Sequence, residues 1–205
     1  MKERIGIFGG SFNPVHIGHC IMAEQFVHEV QLTRCTFVPT NISPFKQNNV
    51  PDIDPIHRIK MLRIVTRGSN NFSVDDVEIK RKGVSFTIDT IQYFRTKYPT
   101  ADIFLLIGED QAQEFTRWKE WQTILEQVQI CIAARTNSVN TTALNDIKSQ
   151  LTLRTKEPVI LQSPRIEISS SSIRSRIVNN VPVKYMVPEK VHRYIRKHSL
   201  YTEHL

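Results

Sequence analysis

Apolar and polar positions along this chain repeat with two periods, one suited to strands and one to helices. RIGIFGG, residues 4–10, is a short apolar run closed by a glycine pair, which predicts a buried strand ending in a tight turn. From Gly18 to Val30 the apolar residues Ile21, Met22, Phe26, Val27 and Val30 fall at helical spacing. CTFVP at 35–39 predicts a second strand stopped by Pro39, and a loop rich in Pro and Asn follows. IHRIKMLRIVTRG restores the helical period up to Gly68, a natural C-cap. FSVDDVEIKRKGVSFT alternates around Gly83 and predicts a hairpin-like pair, or a strand and a turn. TIDTIQYFRTKYP predicts an amphipathic helix that ends before Pro99. ADIFLLIGED carries an unbroken apolar run closed by glycine, the pattern of a buried parallel strand. A helical stretch from Gln111 to about Gln127, broken near Trp118, precedes strands at VQICIAAR (128–135) and PVIL (158–161). SSSIRSRIVNN and PEKVHRYIRKH predict two short helices at the C-terminal end.

Strands alternating with helices specify an α/β fold, a Rossmann-like doubly wound parallel sheet covered on both faces. No repeat, low-complexity tail or linker divides the chain, so residues 1–205 are expected as one domain with a small helical extension from about 168 to 205. Ligands of such sheets bind at the carboxyl ends of the strands. Chemistry should therefore gather at Gly9 and Gly10, and at Gly108 and Asp110.

Composition narrows the setting. The chain of 205 residues is 40% hydrophobic and 23% charged, ordinary for a globular protein and ample for a core. Three scattered cysteines, Cys20, Cys35 and Cys131, without a CxxC pair, fit reduced thiols in a cytoplasmic protein. The N-terminal apolar run ends at Phe8, too short for a signal peptide, and no stretch reaches the length of a membrane span. Lys and Arg number 27 against 20 acids, a net charge of +7 that favours anionic partners such as nucleotides or RNA. No aromatic platform or lysine-rich arm of an RNA-binding module is visible, so a nucleic-acid partner is not expected. A homo-oligomer remains open.

The first candidate constellation is GGSFNPVHIGH, residues 9–19. Glycines 9 and 10 let a phosphate or ribose approach the backbone closely. Neither a GxGxxG fingerprint nor the lysine of a Walker loop is present. His16 and His19, three apart at a helix start, fall on one side, where they can donate to phosphoryl oxygens. Gly18 would keep that wall of the pocket thin. An HxxH pair also occurs in zinc sites, but no neighbouring His or Cys cluster supplies further ligands. The second constellation is ISSSSIR, Ile168 to Arg174. Its serines can cap a helix, or serve with the first-turn amides and Arg174 as a polyphosphate clamp.

HIGH is also a signature of class I tRNA synthetases, but their KMSKS loop is absent and the chain has no room for an anticodon-binding module. The pair of motifs instead resembles the (H/T)xGH nucleotidyltransferases, whose second motif is ISSTxIR. Within that superfamily the chain is similar to the bacterial nicotinate-mononucleotide adenylyltransferases. The likeness continues through FVP…SPFK (37–46), HRIKML (57–62) and DDVEIKRKGVSFTIDT (75–90). It extends through FLLIGEDQAQEFTRW (104–118) to YMVPEKVHRYIRKHSLY (185–201), in order over nearly the whole chain. Asn13, Phe45, Phe86 and Ser171 stand where the family often has Asp, His, Tyr and Thr. Phosphopantetheine and nicotinamide-mononucleotide adenylyltransferases are the neighbouring families; the former lacks the long middle stretch found here.

The resemblance implies transfer of AMP from ATP to nicotinate mononucleotide, giving nicotinate adenine dinucleotide and pyrophosphate in NAD biosynthesis. It implies His16, His19 and Arg174 as catalytic residues. Gly9, Gly10, Ser11, Phe12, Gly18, Lys46, Ile168, Ser170 and Ser171 are expected around ATP and its phosphates. Mg²⁺ should arrive with ATP, held by phosphate oxygens and water, so no dedicated metal site is expected. Thr87, Asp110 and Trp118 are expected at the nicotinate-nucleotide end. Trp118 can stack on a pyridinium ring, with Trp121 a rival for that role, and Asp110 can bind a ribose hydroxyl or cap the next helix.

Overall fold

In the computed structural model, which describes residues 2–44, 53–133, 149, 157–162, 164 and 166–202, the strand-period segments lie side by side. β1 (Arg4–Gly10) runs parallel between β2 (Arg34–Pro39) and β4 (Asp102–Gly108), with Ile5 opposite both Arg34 and Ile103. β3 (Phe72–Val74) continues beyond β2, while β5 (Gln129–Ala133) and β6 (Val159–Leu161) continue beyond β4. The order β3-β2-β1-β4-β5-β6, all parallel, is that of a doubly wound dinucleotide-binding sheet. The direction of winding reverses between β1 and β4, so the crevice at the switch point opens beside Gly9 and Gly10.

Alternation along each strand sorts the side chains into two cores. Ile5 and Ile7 of β1, with Ile103, Leu105 and Ile107 of β4, meet α4 (Thr87–Lys97) and α6 (Trp121–Gln127). Phe8, Phe37, Phe104 and Leu106 turn to the opposite face. There they meet α1 (Ile17–Val30), α2 (Pro55–Thr66) and the C-terminal helices α7 (Ser170–Val178) and α8 (Glu189–Lys197). Gly6 sets how closely α1 approaches: a Cβ there would come within 2.5 Å of Leu32 and 2.6 Å of Phe26. Ile173, Val191, Ile195 and Leu200 place the C-terminal helices in the same apolar cluster as α1.

Between β3 and α4 the chain departs from the hairpin that the alternation predicts. Residues 77–81 form a short helix, α3 (Val77–Arg81), and Val84 pairs instead with Ile42 of the loop after β2. The reason lies in which side chain is inside. Glu78, nominally the polar position, is 6% exposed and accepts a hydrogen bond from the Thr90 hydroxyl at 2.7 Å, while Val77 and Ile79 are only half-buried. The stretch after β4 is helical and broken as expected, into α5 (Glu109–Gln113), a 3₁₀ turn at Phe115–Arg117 and α6. Among the described residues no helix is long and apolar enough to cross a membrane.

Candidate active site

β1 delivers the chain into a turn that is tied down from three directions. Asn13 sits at its centre. The Tyr201 hydroxyl donates to Asn13 Oδ1 at 2.8 Å, and Arg174 Nη1 donates to the Asn13 carbonyl at 2.8 Å. The Ser170 hydroxyl donates to the carbonyl of Pro14 at 2.9 Å, and the amide of Ile17 to the carbonyl of Met186 at 3.0 Å. Four bonds thus join the turn to the C-terminal segment. From beneath, Arg58 of α2 donates through Nη1 to the carbonyls of Ser11 (2.8 Å) and Thr40 (2.7 Å), bridging the ends of β1 and β2.

The two motif histidines lie together at the start of α1. His16 is the N-cap residue and His19 the third residue of the helix, and their rings stack with centroids 3.7 Å apart. The His16 amide donates to His19 Nδ1 at 3.2 Å. An acceptor at Nδ1 puts the proton of the neutral imidazole on Nε2, so His19 has an N–H donor on its far side. Burial pulls the pKa of His16 down to about 4. Burial first, and the neighbouring His16 second, hold His19 well below the ordinary imidazole value. Both rings are therefore neutral at pH 7. Gly18 has a specific reason to lack a side chain: a Cβ there would stand 3.2 Å from the His16 ring and 3.4 Å from Ile166. The tight wall is built against His16 itself. Next to His19, Cys20 has its thiol pushed up to about 11 by burial, which keeps it protonated and a poor nucleophile.

The remaining predicted residues fall into place unequally. Gly9 has open space where a Cβ would stand, whereas Gly10 faces the Phe12 ring at 3.0 Å. Phe12 is 1% exposed and edge-packed on Phe8, Phe37 and His19, so its ring is core and only its backbone can meet a ligand. Ile168 is half-buried against the α1-side core. Ser169, not singled out above, is the N-cap of α7 and accepts from the Ser172 amide at 3.1 Å. Ser170 commits its one hydroxyl proton to Pro14, which leaves its backbone amide for an anion; Ser171 is exposed and accepts from Arg174 Nη2 at 3.5 Å. Lys46 lies outside the described residues.

Across the crevice, Thr87 is the first residue of α4, so its amide belongs to a turn without intrahelical acceptors. Trp118 leans on Phe115 with ring centroids 5.2 Å apart, and its neighbour Lys119 lies 4.8 Å over the Phe86 ring, so these two segments adjoin. Trp121 packs against the same core as Trp118. Asp110 is exposed in the first turn of α5; the cap residue of that helix is Gly108, whose amide donates to Gln111 Oε1 at 3.0 Å. Among the described residues no three or more His, Cys, Asp or Glu side chains gather to hold a metal.

Sequence reasoning overlooked Arg58, Glu78 and Tyr201. Arg58 did leave a trace: it stands three and four residues before Met61 and Leu62, on the buried stripe of α2. Nothing local marks Tyr201, which reaches Asn13 from 188 residues away.

The cytidylyltransferase-like family model matches residues 7–176. A probable nicotinate-nucleotide adenylyltransferase of Carboxydothermus hydrogenoformans is 33% identical over 198 residues, 97% of this chain and 98% of that one. The nicotinate-nucleotide adenylyltransferase of Bacillus subtilis is 31% identical, with 97% and 98% of the two chains covered. In fold, the chain is similar to the Plasmodium falciparum nicotinic acid mononucleotide adenylyltransferase solved with NaAD. That match has a TM-score of 0.77 at 18% identity, with 97% of each chain covered. With a family model matched over most of its length and full-length relatives above 30% identity, this chain belongs to the nicotinate-nucleotide adenylyltransferase family of the cytidylyltransferase-like proteins.

Proposed function

We propose that this protein is a cytoplasmic enzyme that moves AMP from ATP to nicotinate mononucleotide in NAD biosynthesis. The observation that carries the reading is the meeting of the two motifs: stacked, neutral His16 and His19 at the end of β1, and Arg174 bonded to the same turn. The reaction needs no covalent enzyme intermediate. An oxygen of the acceptor's 5′-phosphate attacks the α-phosphorus of ATP. The bond from that phosphorus to the bridging oxygen breaks, and its electron pair leaves with pyrophosphate. The protein aligns the partners and stabilises the spreading negative charge.

In this scheme the Nε2–H of His19 donates to an α-phosphate oxygen. A neutral donor serves here at physiological pH because it needs no counter-ion in the buried site. His16 packs the His19 ring in place and borders the same phosphate. Arg174, with the first-turn amides of α7 at Ser170 and Ser171, holds the β- and γ-phosphates that become the leaving group. Gly9 and the backbone of Gly10, Ser11 and Phe12 let the polyphosphate lie close to the chain. Mg²⁺ accompanying ATP would neutralise phosphate charge, with phosphate oxygens and water as its expected ligands.

At the acceptor end, the free first-turn amides of α4 at Thr87 receive the nicotinate carboxylate and Trp118 stacks on the ring. Asp110 accepts from a ribose hydroxyl. Of the basic run at 80–82, Lys80 pairs with Asp76 at 2.7 Å, while Arg81 reaches the Phe86 carbonyl beside Thr87 at 3.5 Å. A rim of donors leaves the NH₂ of a nicotinamide facing donors, unpaired, a mismatch that discriminates strongly. The test is pyrophosphate release with ATP, Mg²⁺ and a panel of acceptor phosphates. Turnover with nicotinate mononucleotide, at kcat/KM well above that of the amide, is expected. No release with either pyridine nucleotide overturns the reading, and equal values overturn the acceptor assignment alone.

A further inference from the structure

Arg58 is a charged side chain at 0% exposure, and among the described residues no carboxylate stands within ion-pair distance of it. Its Nη1 satisfies the carbonyls of Ser11 and Thr40, while Nε and Nη2 are buried without a hydrogen-bond partner. A buried cation normally sits against an anion, because desolvation is otherwise uncompensated. Here the carbonyls supply only partial negative charge; burial works against the charged form, and Tyr201 first, then Asp54 and Glu78, offset it only in part. The position of this charge is informative: it lies directly under the first residue after β1, at the open end of the sheet.

Its hydrogen bond also fixes a peptide. In a trans peptide the C=O and N–H point to opposite sides. Drawing the Ser11 carbonyl inward to Arg58 therefore turns the following N–H, that of Phe12, away from the core. Phe12 has φ of +47°, a left-handed conformation that a bulky residue adopts only under constraint. The bond from Arg58 to the Ser11 carbonyl and the packing of the Phe12 ring on Phe8 and Phe37 supply that constraint.

We propose that Arg58 is a positioning residue for ATP: it aims the Phe12 amide at the polyphosphate, and its buried charge is balanced by the polyphosphate when ATP binds. This rests on the proposed reading that the triphosphate lies over the end of β1. Arg58 never touches the nucleotide. It acts through the Ser11–Phe12 peptide and through its field, which burial leaves poorly screened.

The experiment compares Arg58→Lys, which keeps the charge, with Arg58→Gln, which removes it but can still donate to a carbonyl. Arg58→Met serves as a second neutral variant should Gln fail to fold. Folding is checked by circular dichroism, and AMP, ADP and ATP affinities are measured by calorimetry on each full chain. The neutral variant is expected to weaken ATP on the order of tenfold or more, ADP less and AMP least. Lys should recover most of the ATP affinity, and KM for nicotinate mononucleotide should stay within about twofold. A penalty equal for AMP, ADP and ATP, or a Lys variant as poor as the neutral one, overturns the proposal and leaves Arg58 a structural brace. Wild-type pyrophosphate release, assayed alongside, reports separately on the functional reading itself.

Discussion

Neutral His16 makes the folded protein sensitive to mild acid, and the size of the effect follows from its burial. In the unfolded chain the imidazole takes up a proton near pH 6.5; in the fold, burial postpones this to about pH 4. Between those values the unfolded state binds more protons than the folded one, so stability falls as pH falls through this window and is flat above it. The full depression corresponds to about 3 kcal/mol, and by pH 5 about 2 kcal/mol of it is lost. His16 is 6% exposed, so solvent does not screen this away. The perturbation is His16→Gln, which cannot titrate. Urea unfolding of both proteins at pH 7.5, 6.5, 5.5 and 5 gives the difference in unfolding free energy, in which the carboxylates common to both cancel. That difference should shift by about 2 kcal/mol across the range, with the wild type losing more. His19 steepens both curves, and more weakly in the variant, because His16 is one cause of its depressed pKa. A difference constant to within about 0.5 kcal/mol refutes the reasoning.

Three further outcomes are expected. His19→Ala should lower kcat on the order of 10²–10³, the loss typical of one preorganised donor, and His16→Ala should lower it as well by freeing the His19 ring; near-normal turnover in both would remove them from the chemical step. Arg174→Ala should raise KM for ATP and slow turnover, with Lys a partial rescue since one ammonium cannot reproduce the guanidinium fork; unchanged ATP parameters would make ISSSSIR a helix cap only. Tyr201→Phe strands a buried acceptor, Asn13 Oδ1, and should cost about 1–3 kcal/mol of stability by urea titration, so an unchanged midpoint would show that the bond contributes nothing.

The sheet could be read in advance because its central strands are short, unbroken apolar runs closed by glycine. Once such a run is a strand, the period-2 rule sends Ile5, Ile7, Ile103, Leu105 and Ile107 to one face and Phe8, Phe104 and Leu106 to the other. The two site motifs were legible for a similar reason, each being contiguous. What escaped is where a charged residue faces inward. At 77–81 the alternation of Val77, Glu78 and Ile79 reads as a strand, yet a partner in Thr90 makes Glu78 the buried position and winds the segment into a helix. Arg58 follows the same logic, held inside by two backbone carbonyls that no local pattern reveals. Binary patterning assumes that polar means outward, and it fails where folding supplies a hydrogen-bond partner.

The bond between Tyr201 and Asn13 also orders events in time. The turn that follows β1 is made well before its partner, because its tie to Tyr201 spans 188 positions. During synthesis that loop must wait, unclosed, while the sheet and α1 to α6 assemble around it. Contacts so distant in sequence close late and slowly. A folding chain can therefore hold most of its sheet while the turn after β1 still lacks the tie that Tyr201 supplies.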